Sequence, residues 1–245
     1  MLALLAVVLA AAPAPPARLA CLARYYALAP VQIDGGWAGQ LPDGTLLPWN
    51  DGRTKSPEER GLAPDLHDLF AEPYPRGSIR PITTVDSDPG RIRVDALFFA
   101  TYGASAKEIE AKLVPIDFLG ERIRVHRKIA PRFLAVARRL APLVKQNPSL
   151  QPFLRKLGGT FNWRHIAGLD KFSAHSFGIS LDLNVARSAY WRWAKPAEPV
   201  TWRNRLPQAV VDAFEAEGFI WGGRWYHYDT MHFEYRPELV EPDCE

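Results

Sequence analysis

The chain of 245 residues is poor in cysteine and methionine, with two of each. It holds no Cys-x-x-Cys pair, which excludes a cysteine zinc site and a thioredoxin-like redox motif. It also lacks a charge of one sign: Lys plus Arg number 30 against 27 Asp plus Glu, a net +3. That excess is too small to point to a nucleic-acid partner. Beyond the first dozen residues no apolar run approaches the roughly 20 positions of a membrane span, so no stable span is expected. No long alternation of strands with helices marks a parallel sheet. What is present, 47% hydrophobic residues, suffices to bury a sizeable core.

Residues 2–12 form one apolar run, closed by Pro13, Pro15 and Pro16. Eleven residues fit the apolar stretch of a signal peptide and are too short to cross a bilayer, although no Lys or Arg precedes them. A buried helix is the alternative. Export to the periplasm or the cell exterior of a bacterium is the expectation, with residues 1–20 as the signal peptide. In that compartment Cys21 and Cys244 are expected to pair as a disulfide. The rival is a lipoprotein cleavage site around Cys21, which Arg18 fits poorly and which leaves Cys244 over.

The chain is organised around residues 173–185. From Ile179 the apolar residues alternate through Leu181, Leu183 and Val185, the pattern of a half-buried strand. Ser180, Asp182 and Asn184 share its other face. A carboxylate in mid-strand against an apolar backing costs free energy to desolvate, which a bound cation offsets. His175, just before the bend at Gly178, is a second ligand for it. A third lies far downstream, where His232 opens another short alternating segment three residues after Asp229. Two histidines and a carboxylate are a common catalytic Zn²⁺ set, with a fourth position left for water. The ion lowers that water's pKa to about 7, and a carboxylate outside the ligand set takes its proton. Asp229 is the candidate base.

At these residues the sequence resembles the zinc D-alanyl-D-alanine carboxypeptidase and L-alanyl-D-glutamate endopeptidase family, peptidases of peptidoglycan. The family pattern is Ser-x-His, six residues, Asp, and much later an acidic residue, two residues and His-Phe. Ser173, His175, Asp182, Asp229, His232 and Phe233 match it. The run from Trp221 through Gly222, Gly223 and Arg224 to Trp225 is similar to the branch with an aspartate base; the carboxypeptidase branches have glutamate there. The resemblance covers roughly residues 120–240, and either half-motif alone is weak. It implies a small α+β fold, with helices packed on an antiparallel sheet, of the Hedgehog/DD-peptidase-like kind. It further implies that Arg164, in the Asn162-Trp163-Arg164 run, enters the cleft to hold a substrate carboxylate or the oxyanion. Ser173 then hydrogen-bonds near the site and Trp225 walls the cleft.

Elsewhere the patterns are plainer. Residues 21–95 read as a loop-rich extension, with a hairpin turned at Pro42-Asp43-Gly44 and a short helix over residues 64–70. The extension covers one side of the cleft and carries no recognisable chemistry. Residues 96–245 are the zinc peptidase domain. Residues 91–98 alternate as a strand. Ser105 and Glu108 form a capping box for a helix ending near Leu113. Residues 114–118 and 122–125 form a hairpin. A helix from near Ala130 to Lys145 has Phe133, Val136, Leu140 and Val144 on one face, and Pro142 should kink or shorten it. Pro207 opens another helix, which Gly218 ends. His67 and His165 are structural, His227 is a false ligand, and the tryptophans of residues 187–203 read as packed loop. The expected protein is a monomeric zinc peptidase acting on peptidoglycan stem peptides, of the L-alanyl-D-glutamate endopeptidase type. A D-alanyl-D-alanine carboxypeptidase and a non-catalytic zinc-stabilised cell-wall binding module are the alternatives, because fold alone does not settle activity.

Overall fold

The computed structural model describes residues 13–166, 170–193 and 199–244, so the apolar run of residues 2–12 lies outside the described residues. The first helix, α1 (Ala17–Tyr25), buries Leu19, Cys21 and Leu22. It runs across residue 20, and Leu19 belongs to the main core. Cys21 is joined to Cys244 by a disulfide, with Cα atoms 5.4 Å apart.

Three short antiparallel strands follow: β1 (Ala29–Ile33), β2 (Gly36–Gln40) and β3 (Leu46–Pro48). The Pro42-Asp43-Gly44 turn joins β2 to β3 as expected, with Gly44 at φ +88°. Ser56 and Glu59 close a capping box on α2 (Pro57–Leu62). The helix expected over residues 64–70 is a single 3₁₀ turn, His67–Phe70. His67 packs edge-on to Trp49, ring centres 5.2 Å apart, a structural role.

Residues 91–98 are not a strand. Residues 91–94 pair with no neighbouring strand, and α3 (Asp95–Tyr102) begins directly after them. Alternation over so few residues also fits a helix, and tertiary burial decides between the two. Leu97, Phe98, Thr101 and Tyr102 lie one turn apart on a buried face, where the Phe98 ring meets Tyr26 and Phe177. Ser105 caps α4 (Ala106–Glu110), its hydroxyl accepting from the Glu108 amide. This helix stops short of Leu113 because the chain there enters β4 (Leu113–Phe118), which hairpins onto β5 (Glu121–His126). The long helix α5 (Ala130–Gln146) passes through Pro142 and is not shortened by it. The lost backbone hydrogen bond is outweighed by the face of Phe133, Val136, Ala137 and Leu140, all buried.

The last sheet holds β6 (Leu157–Gly159), β7 (Ser180–Asn184), β8 (Phe219–Trp221) and β9 (His232–Tyr235) in the order β6-β7-β9-β8, antiparallel throughout. Ile179, Leu181 and Leu183 are fully buried, as the alternation predicts, whereas Val185 leaves the strand and is exposed. The helix α6 (Gln208–Glu215) begins one residue later than expected, with Pro207 as its cap rather than its first residue. It lays Phe214 flat on Phe233, ring centres 4.0 Å apart. The fold is α+β, as expected. Helices α3, α5 and α6 and the sheets share one apolar core.

Candidate active site

The site is built on the middle of the four-stranded sheet. Antiparallel register sets Asp182 on β7 directly opposite His232 on β9. His175 reaches them from a 3₁₀ turn, Ala174–Phe177, that Ser173 opens by accepting the His175 amide, 3.4 Å, and Gly178 closes. Gly178 is required twice over. Its φ is +64°, and a Cβ there would come within 2.6 Å of the Leu113 side chain. The close approach lets the Gly178 carbonyl accept the His126 amide at 2.8 Å, pinning the turn to the β4–β5 hairpin.

His175 Nε2, His232 Nδ1 and Asp182 Oδ1 converge. The nitrogens are 3.2 Å apart and stand 3.1 and 3.0 Å from the oxygen. Donor atoms about 2.0–2.1 Å from a tetrahedral ion lie about 3.3 Å from one another, so this triangle suits zinc. The outer partners fix the tautomers. His175 Nδ1 faces the Thr160 carbonyl at 3.3 Å, and His232 Nε2 faces the Glu234 carboxylate at 3.0 Å. Both are acceptors only, so those nitrogens carry the protons and turn two lone pairs toward each other and a carboxylate. Such a triangle repels itself without positive charge inside it. The same demand appears in the titration of these groups. Burial works against an imidazolium at His232, yet the Asp182 and Glu234 carboxylates push it up to about 10. Burial likewise disfavours charge on Asp182, yet the two histidines hold its carboxyl well below the usual range. A proton or a divalent cation meets that demand, and among the described residues these three form the one cluster arranged as a metal site.

A cavity of about 390 Å³ opens over this triangle, and Ser173, Arg164, Trp225 and Asp229 all line it. Asp229 hangs on the turn before β9, its carbonyl accepting the His232 amide at 3.2 Å. Its Oδ1 is buried with no hydrogen-bond partner, and burial pushes its carboxyl up to about 6. Trp225 stands beside the His232 ring at 5.7 Å and donates its indole N–H to the Pro89 carbonyl. Arg164 is exposed at the rim, its backbone tied to Ser176. Ser173 is the cap of the His175 turn, so it acts on the imidazole's position. His165 packs on Phe172 outside the triangle, and His227 is held by Asp88 at 2.9 Å, neither of them a ligand.

Three contributors escape the motif reading. Glu234 shares a strand face with His232, a relation that two-residue spacing could have disclosed. It leads into a buried relay. Glu234 Oε1 accepts from Arg236 Nη1 at 3.2 Å, Arg236 Nε donates to Glu238 at 2.6 Å, and Glu238 accepts the Tyr26 hydroxyl at 2.7 Å. Tyr26 caps α1. Arg91 and Arg93 line the same cavity, although residues 21–95 show no chemistry as sequence. The signal available was the Pro89-Gly90 turn followed by two arginines two residues apart.

Residues 167–235 match the family model described as D-alanyl-D-alanine carboxypeptidase. This is the zinc peptidase family that the sequence resembles. The matched segment contains the whole His175, Asp182 and His232 triangle together with Asp229, while Arg91, Arg93 and Arg164 lie before it. No curated protein and no solved structure matches the chain.

Proposed function

We propose that the protein is an exported, monomeric zinc peptidase that hydrolyses peptidoglycan stem peptides, of the L-alanyl-D-glutamate endopeptidase type, on a Hedgehog/DD-peptidase-like fold. The observation that carries this reading is the triangle of two imidazole lone pairs and a carboxylate beside a buried, unpartnered Asp229. His175, Asp182 and His232 hold the ion, which supplies Lewis-acid polarisation of the scissile carbonyl and activation of a water. Asp229 takes the proton from the attacking water at its unpartnered Oδ1 and delivers it to the leaving amine. A carboxyl poised near neutrality suits both halves of that task. Arg164 reaches from the rim to the developing oxyanion or to a substrate carboxylate. Trp225 walls the cavity and keeps bulk water from the reacting centre. The disulfide and the apolar run of residues 2–12 support export.

A second reading, a D-alanyl-D-alanine carboxypeptidase, is favoured by the description of the matching family and by the arginines that line the cavity. Product masses separate the two. Purified protein with its metal content assayed is incubated with stem peptides, and the products are weighed. Cleavage between L-alanine and D-glutamate is expected, and loss of a single terminal alanine would establish the second reading instead. Asp229→Ala should lower kcat by about 10²–10⁴-fold with zinc still bound. Full turnover in that variant would remove Asp229 from the mechanism.

A further inference from the structure

The cavity wall contributed by Asp88, Arg91 and Arg93 has donors that no described residue uses. Arg93 is 4% exposed, yet its Nε and Nη1 find no hydrogen-bond partner among the described residues. Its nearest anion is Glu234, 3.8 Å from Nη1, beyond hydrogen-bond reach. That carboxylate is already engaged by Arg236 and by His232. The charge of Asp95 also acts on Arg93, and one Asp95 oxygen is itself buried and unpartnered. Arg91 lies over the Trp225 ring, its guanidinium carbon 4.3 Å from the ring centre. Its Nε is buried without a partner among the described residues, and its hydrogen bond to the His227 carbonyl is long at 3.5 Å. A buried guanidinium stripped of water and left short of acceptors is costly unless an anion completes it. Both arginines line the cavity that holds the metal-ligand triangle.

We propose that Arg91 and Arg93 form a carboxylate receptor in the cavity wall, which selects peptides with an ionised carboxylate next to the scissile bond. This rests on the peptidase reading above and adds a substrate class to it. Guanidinium pairs bind carboxylates through paired N–H donors, and the water-poor wall strengthens the contact. The cation–π contact with Trp225 already restrains the Arg91 side chain, so less freedom is lost on binding. The carboxylate can be a terminal one or the α-carboxylate of a glutamate, and the chemistry of the receptor is the same for both.

The test compares the zinc-loaded wild type with Arg91→Gln and Arg93→Gln on two matched pairs of stem peptides. In one pair the terminal carboxylate is either the acid or the primary amide. In the other the glutamate α-carboxylate is varied in the same way. The wild type is expected to prefer one acid over its amide by about 10- to 100-fold in kcat/KM. The pair that shows the preference names the source. Each variant should bring the acid-to-amide ratio to near one, chiefly through KM for the acid. Variants that slow acid and amide alike, keeping the wild-type ratio, overturn the receptor. Because Arg93 is buried, Arg91→Gln decides the matter if Arg93→Gln unfolds, and Arg91→Lys should restore part of the ratio. If the wild type cleaves none of the four peptides, the peptidase reading fails on its own. Calorimetric titration of the same uncut peptides then decides the receptor: acid-selective binding abolished in Arg91→Gln upholds it, and equal binding of acid and amide ends it.

Discussion

Two buried cations in this molecule are treated in opposite ways. Lys55, in the N-terminal part, is met by Asp51, Asp65 and Asp68 at 2.9, 2.9 and 2.7 Å. Asp65 and Asp68 also accept each other's backbone amides, at 3.0 and 3.1 Å. Every donor on that ammonium has an acceptor, and the knot of charge is closed. Arg93, in the cavity, is as deeply buried and has donors to spare. A saturated cation fixes a fold, because its partners are worthless without it. An unsaturated one costs stability and is retained where something else completes it. The contrast distinguishes a structural charge from a functional one without reference to any motif.

Removal of each cation sharpens that contrast most. Lys55→Met should cost about 3–5 kcal/mol, because it strands buried carboxylates. Arg93→Met should cost no more than about 1 kcal/mol, since Glu234 keeps Arg236 and His232. Urea denaturation of the two variants reads the difference, and equal losses would break the comparison.

His126 takes a third course and stays neutral. Burial pushes its imidazole down to about 4, and its two nitrogens are committed. Nε2 lies 3.2 Å from the Tyr102 carbonyl, and Nδ1 accepts the Lys128 amide at 3.2 Å. The unfolded chain takes up this proton near pH 6.5 and the folded chain only near 4. Stability is therefore complete above about pH 6.5 and falls by roughly 2–3 kcal/mol as pH drops toward 4. Denaturation at pH 7 and 4.5 should show this slope, and His126→Gln should flatten it. The last expected effect is at Glu234→Gln. That change keeps an acceptor for His232 but removes its charge, so zinc affinity should weaken by about 10–100-fold in a chelator competition.

The triangle of His175, Asp182 and His232 was legible because its residues fall into two compact patterns, each local enough for spacing to place them. The β7 alternation put Asp182 on a defined face, and the Gly178 bend aimed His175 at it. Residues 91–98 are ambiguous as sequence because eight residues support both a strand and a helix until Phe98 meets Phe177. Arg91 and Arg93 were silent for a different reason. Their meaning comes from partners they lack, and a missing partner more than 80 positions from His175 leaves no mark on local spacing. The disulfide followed from two cysteines in a chain expected to be exported, the relay through Glu238 from nothing short of the folded chain.

That relay has a bearing on how the protein ages. From the His232 ring the contacts pass through Glu234, Arg236 and Glu238 to Tyr26, at the foot of a helix clasped by Cys21 and Cys244. A reductant that opens the clasp acts remotely from the cavity, yet it loosens the last support of an imidazole in the triangle. Loss of bound zinc should therefore accompany thiol exposure and precede general unfolding.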